Sequence, residues 1–363
     1  MKKILFLLLS IMVFGAALYS FFDSNKNVAI EKKQTLITQP ETISQPSNST
    51  QKKFSLNIPV DCTLGTNCFI QNYVDAKAGE TYSDFLCRSL SYNGHKGTDF
   101  RVGTYNAADS VAVLAAADGV VARLRDGVED LHLNNPNKAD VSQKECGNAV
   151  VIKHKNNWET QYCHLQQGSL TVRQGQQVKA GDVLARIGLS GSTEFPHLHL
   201  SVRNAQQQDI DPFTGNVKET SCNPNAALEQ SLWSANARSK LSLSETGYLA
   251  SGFASSGVDA VGINEGKFNN VTLAKESPAL VFWSLFYGLQ KGDKLTMLVL
   301  DTDKRPMVQN TEIIKKSYAQ YHHFIGKKRQ GNGSWKAGTY EGLVSLIRGD
   351  KVLADNTIQV RVE

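Results

Sequence analysis

The segment FPHLHLSVR at residues 195–203 alternates polar and apolar side chains along its second half. Residues two apart in a β-strand point to the same face of the sheet. We therefore predict a strand that places Leu198 and Leu200 on the core face. The imidazoles of His197 and His199 would then stand side by side on the polar face, where they can act together.

The segments around this strand have the same β character, with Gly and Asn turns between short runs. These runs are VAVLAAADGVVARL at 111–124, NAVVIKH at 148–154 and ETQYCHL at 159–165. The turn KNNW between the last two predicts an antiparallel hairpin. We expect an all-β domain built on an antiparallel β-sheet at residues 58–227, with the polar stretch 125–145 as a long loop inserted beside the hairpin.

The last part of the chain forms a second β region, in which turn signals such as KGD and RGD separate apolar runs. The runs are LVFWSLFYG at 280–288, KLTMLVLD at 294–301, GLVSLIRGDKVLA at 342–354 and NTIQVRV at 356–362. Their spacing over residues 247–363 predicts an immunoglobulin-like β-sandwich. Residues 228–246 are expected to link the two domains, with room for one short helix.

The N-terminus carries an export signal. Lys2 and Lys3 precede the apolar segment 4–22, which is close to the length that spans a bilayer. We expect residues 1–22 to be either a cleaved signal peptide or a membrane anchor. Residues 23–57 are polar and poor in large apolar side chains, so they should form a flexible linker. The remainder would be exported, to the periplasm or cell envelope.

Composition limits the classes of partner. The 363 residues are 41% hydrophobic and 20% charged, which suits two or three globular domains. A net charge of +5 fits an anionic partner, but no dense Lys/Arg run marks a nucleic-acid surface. Six cysteines in an exported chain predict disulfides. Cys62 and Cys68 are expected to form a local pair, while the other pairings stay open among fifteen connectivities.

Three polar motifs carry the chemistry: His95 and Asp99 in HKGTDF, His164 in YCHL, and the histidine pair His197 and His199. A catalytic zinc commonly takes three His, Asp or Glu ligands and keeps one position for water. His95, Asp99 and one histidine of the pair would supply them. The remaining histidines suit a general base and an oxyanion partner.

Other residues receive plainer interpretations. Gly97, between His95 and Asp99, fits a close approach that a side chain would obstruct. The sequence lacks an HExxH helix, a GxSxG elbow and a phosphate-binding glycine loop. The remaining histidines are expected to be structural or solvent-exposed: His132, His154, His322 and His323.

In combination, HKGTDF, a hairpin ending in YCHL, and FPHLHLSV resemble the lysostaphin-type (LytM-domain) peptidoglycan metallopeptidases over residues 87–213. The resemblance implies one Zn2+ per chain, bound by His95, Asp99 and His199. It also implies that His164 and His197 are the further active-site histidines. The expected activity is zinc-dependent cleavage of peptide cross-links in peptidoglycan, with peptidoglycan as the partner.

Two other functions remain open at this stage. A domain of this fold can serve as a non-catalytic activator of another wall hydrolase, or a zinc peptidase of this type can act on proteins. The loop at 125–145 and the last β domain lie outside the family pattern and bear on substrate choice. The fold of the last domain predicts neither its activity nor its ligand.

Overall fold

The computed structural model of the chain describes residues 53–108, 111–270 and 272–363. The described residues lie in one compact unit, Lys52–Glu363. The segment 4–22, predicted as a signal or anchor, lies outside the described residues, as does the linker up to residue 52. Within the described part, no helix has the length and hydropathy needed to cross a bilayer.

The regular secondary structure in the first half of the described chain is almost entirely β-strand, as predicted. Its elements are β1 (Phe69–Asn72), β2 (Gly97–Arg101), α1 (Tyr105–Ala108), β3 (Ala112–Leu114), β4 (Gly119–Arg125), β5 (Asn148–Lys153), β6 (Glu159–Leu165), β7 (Gln177–Val178), β8 (Val183–Arg186) and β9 (His197–Arg203). Seven strands form one antiparallel sheet in the order β1-β2-β9-β6-β5-β4-β7, and β3 pairs with β8 separately. The prediction of an antiparallel sheet is confirmed.

The predicted hairpin is β5 and β6, joined by a short 3-10 turn at Lys155–Asn157. Asn156 and Asn157 adopt left-handed backbone angles there, with φ of 57° and 59°. Asparagine tolerates this region better than most residues, which explains why this sequence turns here. The run at 111–124, in contrast, is not one strand: it splits into β3 and β4, which belong to different sheets.

The strand β9 lies near the middle of the large sheet, between β2 and β6. Its apolar residues Leu198, Leu200 and Val202 are fully buried, as the alternation predicts. They belong to a core that also includes Phe100 and Trp233. Burial of each such leucine stabilises the fold by about 1.5–3 kcal/mol, so the register of β9 is strongly fixed. The opposite face of β9 therefore carries His197 and His199.

The second half begins with a 3-10 turn at Leu228–Gln230 and continues into a β-sandwich. Its elements are α2 (Ala235–Arg238), β10 (Gly247–Ala254), α3 (Ala260–Asn264), β11 (Thr272–Leu273), β12 (Ala279–Leu289), β13 (Lys294–Leu300), β14 (Pro306–Ile313), β15 (Tyr318–Lys328), β16 (Gly338–Arg348) and β17 (Lys351–Val362). One sheet has the order β10-β12-β15 and the other β11-β17-β16-β13-β14.

The immunoglobulin-like assignment of this sandwich stays a prediction. The parallel pairing of β11 with β17 and the return of β15 to β12 give a two-sheet arrangement compatible with it. The hydroxyl of Tyr340, near the start of β16, donates to the carbonyl of Lys336 at 3.1 Å. This contact resembles the tyrosine corner of immunoglobulin-like domains.

Three disulfides link the cysteines. Cys62 bonds Cys68, as predicted, and the other bonds are Cys87–Cys222 and Cys146–Cys163. The predicted boundaries at 58–227, 228–246 and 247–363 stay predictions, since both β regions lie in the unit Lys52–Glu363. Trp283, Leu285 and Tyr287 of β12 share a buried cluster with Phe69 of β1, so apolar packing joins the two regions.

Candidate metal centre

Strands β2 and β9 bring three predicted ligands together. Asp99 lies opposite His199 in the antiparallel register, and His95 precedes β2 by two residues. The three inward atoms are His95 Nε2, Asp99 Oδ1 and His199 Nδ1. They are separated by 3.2 Å, 3.1 Å and 2.9 Å for the pairs His95–Asp99, His95–His199 and His199–Asp99.

Each of these residues is oriented by a contact on its outer side. His95 Nδ1 donates to the carbonyl of Tyr73 at 2.7 Å, which leaves Nε2 facing the centre. Asn72 Nδ2 donates to Asp99 Oδ2 at 2.9 Å, which leaves Oδ1 inward. His199 Nε2 lies 3.0 Å from the hydroxyl of Ser201. Such outer contacts fix the tautomer and the ring orientation of metal-binding histidines.

The charge of the centre favours a cation. Asp99 is buried, and burial by itself raises its pKa, but the adjacent His95 and His197 outweigh burial and hold the pKa well below its ordinary value. Asp99 is therefore a carboxylate at neutral pH. One buried carboxylate among the ring nitrogens of histidines is an environment that a divalent ion stabilises.

The donor set fits Zn2+. Two nitrogen atoms and one carboxylate oxygen are common protein ligands of a catalytic zinc, at about 2.0–2.2 Å each. Ligand atoms at these distances and at tetrahedral angles lie about 3.3 Å apart. The observed separations of 2.9–3.2 Å are close to that value. A small ion thus requires only a slight outward shift of the three side chains.

The other two predicted histidines stand beside this group. The ring centroids of His164 and His197 are 4.7 Å apart, and those of His164 and His199 are 6.0 Å apart. His164 Nδ1 donates to the carbonyl of Ser190 at 2.7 Å. His197 Nδ1 donates to the carbonyl of Phe195 at 2.9 Å. Nε2 of His164 therefore faces away from its carbonyl partner, and Nε2 of His197 faces Asp99, 3.4 Å from Oδ1.

His164 has an unusual backbone and an unusual environment. Its φ is 61°, a left-handed value that few non-glycine residues adopt and that recurs at functional sites. Burial, together with the neighbouring His197 and His199, lowers the pKa of His164 well below its ordinary value. The imidazole is therefore neutral near pH 7 and able to accept a proton.

Several residues of the site had no signal in the sequence. The carbonyls of Tyr73, Ser190 and Phe195 orient three histidines, but a backbone carbonyl is present in every residue. Asn72 is the last residue of β1, and its amide lies near Asp99 only because β1 pairs with β2. The ring of Tyr92 lies over His95 with 4.4 Å between centroids, and Tyr92 is 51% exposed.

The remaining histidines are held by other contacts, in line with the structural interpretation. His154 is fixed between the carbonyl of Asp118 and the hydroxyl of Thr160. His132 Nδ1 accepts from the backbone N–H of Asn134. His323 lies near Asn310 and Glu312 in the sandwich.

The predicted close approach at Gly97 is confirmed. A Cβ atom at this position would lie 2.5 Å from His199 Nε2 and 2.7 Å from the carbonyl oxygen of Leu200. Both distances are far below a normal contact. Only glycine leaves room at this position of β2 for the His199 ring and the Leu200 carbonyl of β9.

Comparison with known proteins identifies the region around these motifs. Residues 93–212 match Peptidase family M23. The cell division protein DipM of Caulobacter vibrioides is 34% identical over 130 residues, which are 34% of this chain and 19% of that protein. The peptidoglycan DD-endopeptidase ShyC of Vibrio cholerae is 31% identical over 135 residues, which are 35% of this chain and 26% of that protein.

The chain spans about a fifth to a quarter of the length of these curated relatives. The DD-carboxypeptidase/endopeptidase Mpg of Neisseria meningitidis is 34% identical over 121 residues, with 33% of this chain and 22% of that protein covered. Among solved structures, a zinc-containing peptidase from Vibrio cholerae aligns with 43% of this chain and 39% of that chain, at 24% identity and a TM-score of 0.29.

Proposed function

We propose that the protein is a zinc-dependent endopeptidase that hydrolyses peptide bonds in peptidoglycan cross-links, since residues 93–212 match Peptidase family M23. The observation that carries this proposal is the convergence of His95 Nε2, Asp99 Oδ1 and His199 Nδ1 within 2.9–3.2 Å of one another. Each of these atoms is turned inward by a contact on the far side of its side chain.

In this proposal, His95, Asp99 and His199 hold one Zn2+ per chain. Bound zinc polarises a carbonyl and lowers the pKa of a water toward about 7. Asp99, as the anionic ligand, offsets one of the two positive charges of the ion. The contacts to Tyr73 and Asn72 hold two of the ligands in place before the ion arrives, which lowers the cost of ordering them on binding.

His164 and His197 supply the proton chemistry. Each donates Nδ1–H to a carbonyl, so each presents Nε2 as an acceptor toward the reacting groups. One of them removes a proton from the attacking water. The other, as an imidazolium that carries a proton from solvent throughout the reaction, would donate a hydrogen bond to the oxyanion, and the leaving amine would receive the proton that the base took from the water.

Peptidoglycan is the proposed substrate because the relative ShyC is named a peptidoglycan DD-endopeptidase and the relative Mpg a DD-carboxypeptidase/endopeptidase. The three disulfides fit an oxidising compartment outside the cytoplasm, and the net charge of +5 fits an anionic wall polymer. Residues 4–22 would deliver the protein there, either as a signal or as an anchor.

The test digests purified sacculi with the unit Lys52–Glu363 and measures zinc in the same sample. The wild type should bind about one zinc per chain and convert cross-linked muropeptides into uncross-linked products whose masses identify the bond. His199→Ala should lose both properties, while His322→Ala, which replaces a histidine of the sandwich, should keep them.

Two results would contradict the proposal in different ways. Bound zinc with cleavage of casein but not of sacculi would favour a peptidase that acts on proteins. No zinc and no cleavage, with stimulation of a second wall hydrolase, would favour a non-catalytic activator.

A further inference from the structure

The end of helix α3 in the sandwich makes contacts that run toward the candidate active site. Asn264, the last residue of α3, and Glu265, which follows it, touch different parts of the peptidase region. Asn264 is fully buried, and its own amide donates to the carbonyl of Ala260 at 2.9 Å. This bond fixes its Oδ1 in the direction of the peptidase sheet.

The first route passes through Arg101 of β2. Asn264 Oδ1 accepts from Arg101 Nη2 at 2.9 Å, and Gln71 Oε1 accepts from Nη1 at 2.6 Å. The guanidinium lies over the ring of Phe195, 4.4 Å from its centroid. The Phe195 ring in turn is 4.5 Å from the ring of His197, and its carbonyl accepts the Nδ1 proton of His197.

The second route passes through the loop that follows β4. Glu265 Oε1 accepts from the backbone N–H of His132 at 3.0 Å and from Asn135 Nδ2 at 2.6 Å. Leu133, between these two, donates its N–H to the carbonyl of Thr193 at 2.8 Å. The Thr193 hydroxyl donates to the carbonyl of Phe195 at 2.8 Å and lies 3.2 Å from His197 Nδ1.

Both routes end at the same point. Thr193 and Phe195 both contact His197 Nδ1, and each is linked, through intervening residues of the peptidase region, to one of two consecutive residues of the sandwich. Arg101 lies opposite His197 in the β2–β9 register, so its side chain and the imidazole occupy the same face of the sheet.

The buried charge of Arg101 indicates a role beyond packing. Its side chain is fully buried, its Nε has no hydrogen-bond partner, and it forms no salt bridge with a carboxylate in the described part of the chain. A buried cation without a counter-ion destabilises a fold unless its contacts are well ordered. This charge is stabilised by the neutral side-chain oxygens of Gln71 and Asn264 and by the face of the Phe195 ring.

We propose that Asn264 and Glu265 are positioning residues for His197, so that the C-terminal sandwich is part of the catalytic apparatus. Asn264 acts through Arg101 and Phe195, and Glu265 acts through the 132–135 loop and Thr193. This inference rests on the proposed peptidase function. The sandwich thereby fixes the orientation of an imidazole that it does not itself touch.

The kinetic test compares Asn264→Ala and Glu265→Ala with Asn106→Ala. Asn106 Nδ2 donates to the carbonyl of Gly266 at 2.9 Å, so it also bridges sandwich and peptidase region but leads to neither Thr193 nor Phe195. We expect kcat to fall about ten-fold or more in the first two variants, with KM and zinc content nearly unchanged, because a misplaced catalytic group costs rate rather than binding. Asn106→Ala should retain the wild-type kcat.

Conservative variants separate positioning from loss of structure. Glu265→Gln keeps an acceptor for the loop and should retain most of kcat, whereas Asn264→Asp keeps an acceptor for Arg101 but loses the donor to the Ala260 carbonyl, so its kcat should lie between those of Asn264→Ala and the wild type. If the alanine variants match Asn106→Ala in kcat while the wild type cleaves, the inference is overturned and the proposed function stands. An inactive wild type would count against the proposed function alone.

A spectroscopic readout decides the inference without activity. In metal-free protein, the side-chain nitrogen spectrum of histidine should show His197 with its proton on Nδ1 in the wild type and in Asn106→Ala. In Asn264→Ala and Glu265→Ala, we expect a mixture of the two tautomers, because the Phe195 carbonyl is no longer held in place. An unchanged Nδ1–H signal in both variants would overturn the inference.

Discussion

The single residue Gly97 limits the geometry of the proposed zinc site. Replacement by alanine would place Cβ against the His199 ring and the Leu200 carbonyl, and would push the ring away from Asp99. We expect Gly97→Ala to fold but to bind zinc about 10–100-fold more weakly, the range that disturbed ligand orientation produces. Zinc competition with a chelator measures this. Gly257→Ala is the control, because nothing lies within 4 Å of its added Cβ.

His164 gives the pH dependence of the reaction if it is the general base. Burial first, and then His197 and His199, lower the pKa of His164 from its ordinary 6.5. A base with a lowered pKa stays unprotonated as the pH falls through 6.5, so the acid limb of kcat should lie below that pH. The measurement is a profile of kcat against pH. An acid limb above pH 6.5 would assign the base to another group.

Removal of the same imidazole tests its role directly. Asparagine tolerates the left-handed backbone of position 164, where φ is 61°, better than alanine does. We therefore expect His164→Asn to keep the fold while kcat falls about 10²–10⁴-fold, the usual contribution of a general base. An unchanged melting temperature serves as the control, and full activity in this variant would exclude His164 from catalysis.

At the residue scale, the sequence predicts side chains whose chemistry is rare and whose spacing is regular. His197 and His199 are two apart on a strand, and their shared face follows from the period of the strand. The carbonyls of Tyr73, Ser190 and Phe195 could not be found in this way, because only the folded chain decides which carbonyl meets which imidazole.

The disulfide Cys146–Cys163 ties the inserted loop to the strand that carries His164. The carbonyl of Cys146 accepts the backbone N–H of His164 at 2.8 Å. We expect the double variant Cys146→Ser/Cys163→Ser to lose about 3 kcal/mol of stability and a large part of kcat, because the loop and the His164 backbone become less ordered. Denaturant unfolding and initial rates measure the two effects.

The matched control is the pair Cys62→Ser/Cys68→Ser, which opens a much shorter loop with a sequence separation of 6. It should cost about 2 kcal/mol and leave kcat unchanged. Equal losses of kcat in the two double variants would show that the disulfides act through global stability alone.

At the scale of elements, strands with a long or regular apolar pattern were predicted, whereas β1, β2 and β14 were not. β12 is buried along its whole length, and β9 buries one face, so both have a clear apolar pattern. β14 is an edge strand with mostly exposed side chains, and its sequence PMVQNTEI carries little alternation. Helix α3 spans only five residues, too few for a helical period to become visible.

The whole unit Lys52–Glu363 is held together by packing that the sequence did not reveal. The sequence predicts two β domains, but Trp283, Leu285 and Tyr287 on β12 share a buried cluster with Phe69 on β1. One face of β12 is buried inside the sandwich, and its other face is apolar as well. A β-strand that is apolar on both faces needs a second partner, which is here the peptidase region.

This shared cluster predicts that the unit unfolds in one step. We expect a single calorimetric transition for Lys52–Glu363, with calorimetric and van't Hoff enthalpies in agreement, because neither β region can expose the cluster without loss of burial. Phe69→Ala should reduce the stability by about 3–5 kcal/mol and separate the transition into two. Phe324→Ala, at a position 45% exposed, should leave one transition. Two transitions in the wild type would mean that the sandwich unfolds independently of the peptidase region.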